Sequence, residues 1–221
     1  MSDDLLNSAL NLVRRLPPSN VENSLAGLIE LQPDLTDDLL NHVDQPLKIE
    51  KDEKSGKNFI QCDYNRDGDS YRSPWSNKYY PNIDDGFLPG KELREMEVAA
   101  NTVFDSYRKL YFEGGTSSVY FFDTEEGKSG SFGACFLIHK DVEKAGSLTT
   151  GWWDSIHVFE VQPKGGDDKN AFTYKLTSTV MVAMKLTDDK IGFTDLSGNM
   201  TQQDQKNRTL DKHDSHISNM G

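Results

Sequence analysis

FIQCDYNRDGDSYRSPWSNKYYP, the stretch from Phe59 to Pro81, is the segment around which the rest of the chain can be arranged. Three aspartates, two arginines, four tyrosines and one tryptophan stand here between a short apolar run and a proline. The stretch is too polar for a core strand and too aromatic for a disordered linker. We therefore predict a tightly turned loop, which we call the acidic-aromatic loop. Its Asn and Asp side chains should bond nearby backbone amides, and its aromatic rings should anchor it to the fold.

The same loop resembles the first half of an EF-hand calcium loop. Such a loop needs oxygen ligands at positions 1, 3 and 5, a glycine at position 6 and a bidentate glutamate at position 12. Asp63, Asn65, Asp67 and Gly68 meet the first four requirements, but Pro74 stands at position 12 and no amphipathic helix flanks the loop. We expect no calcium binding at physiological levels, and a calcium-binding module is kept as an alternative function.

Composition and charge restrict the class of protein. With 221 residues, 35% of them hydrophobic, the chain suits one compact domain or a domain with a small helical appendage. No apolar run approaches the ~20 residues that span a bilayer, and the N-terminus lacks the basic region of a signal peptide. We therefore expect a cytosolic protein. In a reducing compartment Cys62 and Cys135 should be free thiols. The net charge of −12 argues against nucleic acid or an anionic membrane as partner and favours basic segments of other proteins.

The N-terminal part is predicted to be helical. Prolines divide residues 1–46 into three segments with apolar side chains at helical spacing. Each segment is too short to be stable alone, so we predict a small antiparallel bundle. Residues 47–90 are predicted to form a hairpin over 47–62, with a turn at Ser55-Gly56, followed by the acidic-aromatic loop.

Residues 91–202 are predicted to form a long helix and an antiparallel sheet, which makes the fold class α+β. Between Lys91 and Phe112, apolar side chains recur every three or four residues, as in a helix that lies on a sheet. This seam comprises Leu93, Met96, Ala100, Val103, Tyr107 and Leu110. The five predicted strands are Ser117–Asp123, Phe132–Lys140, Trp152–Gln162, Phe172–Leu186 and Ile191–Thr201. Residues 203–221 are expected to be a polar tail.

Two features of the strands suggest how the sheet is covered. In the fourth strand, the apolar side chains from Phe172 to Leu186 fall mainly on even-numbered positions, which predicts one covered face and one largely solvent-exposed face. The last strand has neither a proline nor a dense block of charge to protect its edge. Because an open edge can pair with another chain, we expect a partner subunit to complete the sheet.

No group of side chains has the spacing of a catalytic centre. Ser155 and His157 alternate on one strand beside Asp154, without the sharp turn that exposes a nucleophile, so we expect His157 to be a partly buried structural residue. His213, Asp214 and His216 contain metal-binding side chains but are expected to be exposed. Residues 125–129 carry only the end of a phosphate-binding loop. We therefore predict no enzyme activity, no cofactor and no metal.

The segment DYNRDGDSYRSPWSNKY resembles the beta subunit of actin-capping protein, and four further segments resemble it in the same order. They are RRLPP at 14–18, VDQPLKI at 43–49, YFEGGTSSVYFFD at 111–123, and WDSIHVFEVQ followed by YKLTSTVM. The resemblance implies an alpha/beta heterodimer whose similarly folded subunits share one sheet. It further implies that the dimer caps the barbed ends of actin filaments and the actin-like filament of dynactin, in the cytoplasm at the cortical cytoskeleton.

The resemblance also implies a regulatory site. In the family, a stalk built by the N-terminal helices and the acidic-aromatic loop receives basic, extended segments such as the CARMIL-type interaction motif, and it overlaps the site of the inhibitor myotrophin. The matching positions are Arg15, Asp44, Asp63, Tyr64, Asp67 and Tyr79. Intramolecular roles are the alternative, with Arg15 paired to an aspartate and Tyr79 packed on the helices. Because family members continue beyond Gly221, a regulator-binding scaffold without capping activity is the second alternative function.

Overall fold

A computed structural model describes residues 2–13, 15–17, 20–43, 46–124, 130–143, 149–165, 170–188, 192–210 and 215–221. The predicted α+β class is confirmed. The chain divides into two compact units, which are described separately. One comprises Met1–Pro46, Asp141–Asp154 and Thr179–Thr201, and the other comprises Leu47–Lys140, Ser155–Ser178 and Gln202–Gly221. Among the described residues, no helix is both long enough and apolar enough to cross a membrane.

The first unit contains the predicted N-terminal helices. These are α1 (Ser2–Val13), α2 (Val21–Leu31) and α3 (Thr36–His42), with a 3-10 turn at Pro33–Leu35 before the third. Each helix contacts the other two. Their shared core is made of four buried leucines, which are Leu10, Leu25, Leu35 and Leu39. Because single helices of this length are marginal in water, this packing is what stabilises them.

The second unit begins with the predicted hairpin. β1 (Lys48–Lys51) and β2 (Asn58–Gln61) pair antiparallel, with Lys48 opposite Gln61. The acidic-aromatic loop then forms a 3-10 turn at Asp63–Asn65 and a small antiparallel sheet. The strands of that sheet are β3 (Arg66–Asp67), β4 (Ser70–Arg72) and β5 (Tyr79–Tyr80).

The predicted five-stranded antiparallel sheet is confirmed. Its strands are β6 (Thr116–Phe122), β7 (Phe132–Glu143), β8 (Thr149–Pro163), β9 (Ala171–Asp188) and β10 (Gly192–Thr209). The spatial order is β10-β9-β8-β7-β6, so consecutive strands are neighbours. β6 pairs with β7 in a register that sets Thr116 opposite His139 and Phe122 opposite Gly133.

The prediction that residues 203–221 form a polar tail is wrong for residues 203–209, because β10 continues to Thr209. Side chains of β10 bond to β9: the Thr173 hydroxyl donates to Asn207 Oδ1 at 2.8 Å, and Gln203 Nε2 donates to Thr177 Oγ1 at 3.2 Å. Residues 200–209 are exposed throughout, so this half of the strand needs no apolar alternation and the sequence carries no strand pattern there.

A short helix follows β10 near the end of the chain. This helix, α5 (His216–Met220), begins at Ser215, whose hydroxyl accepts the backbone N–H of Ser218 at 3.1 Å. Met220 is buried in the core of the second unit. The chain from 215 to 221 is therefore packed on the fold and is not a solvated tail.

The long helix α4 (Lys91–Tyr111) packs on the sheet at β6, as predicted, but only two of the six predicted seam residues are buried and a third, Met96, is partly buried. Leu93 and Ala100 are in the core, whereas Val103 and Leu110 are 62% and 77% exposed. A strict three-four spacing drifts by about 20° per heptad around a straight helix, so it cannot follow one face for three heptads. The buried face instead includes Glu97, a polar residue that the apolar pattern did not include.

The predicted alternation of β9 holds for only part of the strand. In its first half the even-numbered Tyr174 is buried, as expected, but further on the odd-numbered Thr179 and Met181 are buried. The change occurs where the strand passes from one compact unit to the other, between Ser178 and Thr179. A single alternation therefore does not describe the whole strand.

Candidate functional site

A buried ion pair joins the acidic-aromatic loop to helix α4. Arg72 donates two hydrogen bonds to Glu97, from Nη1 to Oε1 and from Nη2 to Oε2, both at 2.7 Å. The two side chains are 3% and 0% exposed. Burial by itself would lower the pKa of Arg72, but the hydrogen bonds and charge of Glu97 raise it above the usual value. Such a bidentate pair fixes both distance and orientation, so the loop is held in one position on the helix.

The carboxylate of Glu97 has further donors. Arg94, one turn earlier on α4, also pairs with Oε1, and the backbone N–H of Phe121 in β6 donates to Oε2 at 2.8 Å. The buried charge is therefore satisfied by two arginines and one amide, as a buried carboxylate requires. Because Arg72, Glu97 and Phe121 lie on three different elements, this one carboxylate connects the loop, the helix and the sheet.

Two asparagine side chains extend the buried network. Asn101 of α4 accepts the N–H of Val119 at 2.9 Å and donates to its carbonyl at 2.8 Å, so it pairs with β6 as a strand residue would. Asn65 in the loop accepts the N–H of Cys62 at 2.9 Å and donates to the carbonyls of Ile60 and Arg72. These bonds satisfy backbone groups that the irregular loop would otherwise leave unpaired.

Asp52, in the turn of the hairpin, binds the C-terminal part of the acidic-aromatic loop through Ser73, Ser76 and Tyr80. Its carboxylate is completely buried and accepts five hydrogen bonds, from the hydroxyls of Ser73 and Tyr80 and the backbone N–H groups of Lys54, Ser55 and Ser76. Burial alone would raise the pKa of Asp52, but the hydrogen bonds outweigh it and hold the pKa well below its usual range.

Tyr79 and Asp67, two of the predicted peptide-binding residues, bind the backbone of Phe87. The Tyr79 hydroxyl donates to the Phe87 carbonyl at 2.6 Å, and Asp67 Oδ2 accepts the Phe87 N–H at 3.0 Å. Tyr79 is only 6% exposed, although no apolar stripe includes it. Its burial, with smaller effects of nearby charges, raises its pKa, so the phenol stays a donor. Within its own unit, Tyr79 packs on the Gly86–Phe87 segment.

Gly86 lies directly against the Tyr79 ring. A Cβ at this position would be 2.5 Å from Tyr79 Cε2 and 2.9 Å from Ile83 Cδ1, which is closer than such atoms can approach. Residue 86 must therefore be a glycine as long as the Tyr79 ring keeps its place. It allows the backbone to pass close enough to the ring for the Tyr79–Phe87 hydrogen bond.

Asp63 and Tyr64 face outward from the 3-10 turn. Asp63 is exposed, and Tyr64 is 38% exposed, with its ring stacked on Phe122 at a centroid distance of 4.9 Å. A partly exposed tyrosine ring can contact a guanidinium group. These two residues and the half-buried Asp67 thus offer the kind of surface that the predicted peptide site needs.

The two remaining predicted residues belong to the first unit. Arg15 is exposed, and its backbone N–H donates to the carbonyl of Leu12 at 3.0 Å just after α1. Asp44 lies outside the described residues. The structure therefore groups Asp63, Tyr64, Asp67 and Tyr79 in one unit, and the predicted contribution of Arg15 and Asp44 to the same site stays a prediction.

The calcium alternative meets a specific obstacle at Asn65. As the ligand at position 3 it would have to present its side-chain oxygen to a cation, but that atom accepts the N–H of Cys62 inside the buried network. Asp67 likewise uses Oδ2 to bind Phe87. Within the described part of the chain, no group of three or more His, Cys, Asp or Glu side chains is arranged to hold a metal ion.

His157 and His216 each contact other side chains of the fold. His157 is partly buried, as predicted, and its Nδ1 lies 2.9 Å from Ser178 Oγ, while burial lowers its pKa. His216 was predicted to be exposed, but it is half-buried: its Nδ1 lies 2.8 Å from the Tyr174 hydroxyl, and its ring meets Phe132 and Phe172 edge-on. Burial lowers the pKa of His216 too. His213, Asp214 and the predicted turn at 125–129 lie outside the described residues.

Sequence reasoning missed Glu97, Asp52 and Phe87, which organise this region. A signal for Glu97 was present, since it lies four residues after Leu93 and three before Ala100, on the buried stripe of the helix. An acid at such a position indicates a buried partner. Asp52 lies in a turn, where aspartate is common, so its complete burial left no signal.

Comparisons with known proteins place this geometry in context. A family profile described as F-actin capping protein, beta subunit, matches residues 6–221. Proteins named F-actin-capping protein subunit beta from Drosophila melanogaster, Dictyostelium discoideum and Caenorhabditis elegans are 48%, 49% and 47% identical to the chain. Each alignment includes all of this chain and 78%, 79% and 79% of the respective relative. Among solved structures, the homodimeric actin capping protein alpha subunit from Plasmodium berghei matches with a TM-score of 0.46 and 15% identity, over 98% of this chain and 85% of that one.

The first prediction concerns the buried ion pair. Arg72→Met leaves the Glu97 carboxylate with Arg94 as its remaining cation, and we expect a loss of about 3–5 kcal/mol in the free energy of unfolding, measured by urea denaturation. Arg66→Met, which removes an exposed arginine from the same loop, is the control and should change stability by less than about 0.5 kcal/mol.

A second variant tests whether the unpaired charge causes that loss. Arg72→Met/Glu97→Gln removes the charge and keeps an acceptor for the Phe121 amide, so it should be more stable than Arg72→Met alone. A single variant as stable as the parent, or a double variant less stable than the single one, would contradict this account.

The next prediction concerns pH. Because the pKa of Asp52 is lower in the folded state than in the unfolded chain, its contribution is complete above about pH 4 and is lost as the pH falls through the folded-state value. Asp52→Asn should therefore be less stable at neutral pH and lose less stability on acidification than the parent. The measurement is the urea midpoint at neutral and acidic pH, with the exposed neighbour changed by Glu53→Gln as control. Parallel pH profiles for parent and Asp52→Asn would show that Asp52 does not contribute.

Proposed function

The chain belongs to the F-actin capping protein beta-subunit family, and from this premise we propose that it is the beta subunit of a heterodimer that binds actin filament barbed ends and blocks subunit exchange. One observation carries the proposal: the similarity extends over the whole chain, with 47–49% identity to three relatives that bear the subunit's name. The protein would act by binding alone, in the cytoplasm at the actin cytoskeleton.

The edge strand β10 of the large sheet is an argument for a partner subunit. β10 is the last strand in the spatial order, and within the described residues its one strand neighbour is β9. Leu196 and Met200 of this strand are about two-thirds exposed, at 65% and 64%. A long, exposed edge is a template for pairing with another chain. We assign this edge to the alpha subunit, which would complete a sheet shared by both subunits.

The opposite edge strand, β6, is less available. The N–H of Ile60 in β2 donates to the hydroxyl of Ser118 at 2.9 Å, and the Tyr120 hydroxyl donates to the Ile60 carbonyl at 2.7 Å. The hairpin is thus bonded to β6 through side chains. This favours β10 as the edge at which a partner would pair.

Charge suggests how the two subunits divide the work. The chain carries a net charge of −12, and actin is also acidic, so direct contact over a large area would be repulsive. From the family resemblance we assign most filament contacts to the alpha subunit and to the C-terminal extensions of the heterodimer, and the charge of this chain agrees with that assignment. The acidic surface of this chain suits basic regulators instead.

Regulation is the second part of the proposal. We assign to this chain a site for basic, extended segments of the CARMIL type, which would overlap the site of myotrophin, and we extend the capping role to the dynactin filament. The residues assigned to the site are Arg15, Asp44, Asp63, Tyr64, Asp67 and Tyr79. The exposed carboxylate of Asp63 and the partly exposed ring of Tyr64 support this, because arginine and lysine bind both kinds of group.

The capping proposal is tested with the chain and an alpha subunit produced together. We expect the two to co-purify as a one-to-one complex and the complex to slow the elongation of actin from filament seeds at their barbed ends. The alpha subunit alone is the control. A complex that forms and binds regulators but leaves elongation unchanged would support the scaffold alternative, and failure to co-purify would overturn the heterodimer.

The regulatory site is tested by peptide binding to the same complex. Asp63→Asn/Tyr64→Ala should weaken binding of a CARMIL-type peptide at least about tenfold, because it removes a charge and a stacking surface together. Binding by the parent should also weaken as salt rises from about 50 to about 300 mM. Asp69→Asn, an exposed aspartate outside the assigned set, is the matched control. Equal affinity of the double variant and the parent would show that the site lies elsewhere.

A further inference from the structure

Phe87 and Leu88 form an exposed apolar pair in the segment that follows the acidic-aromatic loop. Their side chains are 60% and 49% exposed, although the next residue, Pro89, is buried. Single exposed apolar residues are ordinary on protein surfaces. An adjacent pair that includes an aromatic ring is a more specific feature, since aromatic side chains supply much of the binding energy at interfaces.

The backbone of Phe87 is held at both of its polar groups. The N–H is bound by Asp67 Oδ2 at 3.0 Å, and the carbonyl is bound by the Tyr79 hydroxyl at 2.6 Å. Neither bond involves the Phe87 side chain, so two side chains of the neighbouring loop are used to fix the position from which an aromatic ring projects into solvent. Because the backbone at this position is already held, less conformational freedom is lost when a partner binds there.

The scaffold behind this position is rigid as well. Tyr79 is buried and lies directly against Gly86, while its strand β5 pairs with β4, which carries the buried Arg72. The Phe87–Leu88 pair is therefore connected to helix α4 through the Arg72–Glu97 ion pair. Binding surfaces are commonly built on rigid elements in this way, whereas an ordinary exposed loop has fewer such contacts.

The charges beside the pair indicate the chemistry of a partner. Asp84 and Asp85 are both exposed and lie three and two residues before Phe87, respectively. An apolar contact flanked by carboxylates fits a segment in which a large apolar side chain is flanked by Lys or Arg. The net charge of −12 would attract such a segment at long range.

We propose that the Phe87–Leu88 pair is the contact surface for an apolar side chain of the basic, extended peptide, and that Asp67 and Tyr79 are positioning residues that hold this surface in place. The inference rests on the regulatory-peptide part of the proposed function. It changes the role of two assigned residues: the peptide touches Phe87 and Leu88, while Asp67 and Tyr79 act through the Phe87 backbone.

The probes are two short synthetic peptides of equal length and charge. In one, Leu alternates with Arg, and in the other, Ser replaces every Leu. The heterodimer containing the parent chain should bind the Leu peptide at least about tenfold more tightly than the Ser peptide, because only the Leu peptide can use the apolar pair. Equal affinities would overturn the inference.

Variants of the chain then locate the contact. Phe87→Ser should lower the affinity for the Leu peptide to that for the Ser peptide and leave the latter unchanged. Tyr79→Phe keeps the ring and removes the bond to the Phe87 carbonyl, so it should reduce the preference for Leu without abolishing binding. Leu110→Ser, which removes another exposed apolar side chain, is the matched control and should change neither affinity.

The outcomes separate this inference from the proposed function. If Asp63→Asn/Tyr64→Ala weakens binding but Phe87→Ser does not, the regulatory site stands and the apolar contact is wrong. If Phe87→Ser prevents co-purification with the alpha subunit, the pair belongs to the subunit interface, and the inference is overturned. If it makes the chain associate with itself less, the occupant is a second copy, and the inference is likewise overturned.

Discussion

The buried pair between Arg72 and Glu97 is the interaction on which the second unit depends. It joins a loop whose strands are only two or three residues long to a helix of 21 residues, and Glu97 also binds β6 of the large sheet. A buried ion pair often adds little net stability compared with an apolar pair of the same shape. Its value here is geometric, because a bidentate contact admits one arrangement of loop and helix.

Around this pair, polar side chains form hydrogen bonds with backbone groups. Asp52, Asn65 and Asn101 each bind backbone groups that have no partner in a helix or strand of their own. An irregular segment can be buried only if its amides and carbonyls are paired in this way. The acidic-aromatic loop is thus held by a network of polar side chains, whereas the N-terminal helices pack around a cluster of apolar side chains centred on four leucines.

Sequence patterns predict an element only where its residues follow a period or a composition typical of that element. The N-terminal helices were predictable because their apolar residues follow the helical period, and the hairpin and the five strands because runs rich in β-forming residues are separated by turn residues. The second half of β10 was missed because a strand exposed on both faces has no such pattern. The role of Glu97 was missed because the helix seam was traced through apolar residues only. At the candidate site, the exposure of Asp63 agrees with the resemblance, whereas the burial of Tyr79 depends on contacts with Gly86 and Phe87 that no local pattern encodes.

The close approach of Gly86 to the Tyr79 ring has a consequence for the evolution of the surface. Any side chain at residue 86 would occupy space that the ring already fills. A larger residue can be accepted there only after residue 79 has become smaller, and that change would also remove the hydroxyl that binds the Phe87 carbonyl. Substitutions at positions 79 and 86 should therefore be correlated among relatives. Relatives that carry both substitutions lack the hydrogen bond that holds the backbone of residue 87, so the identity of that residue should vary more among them.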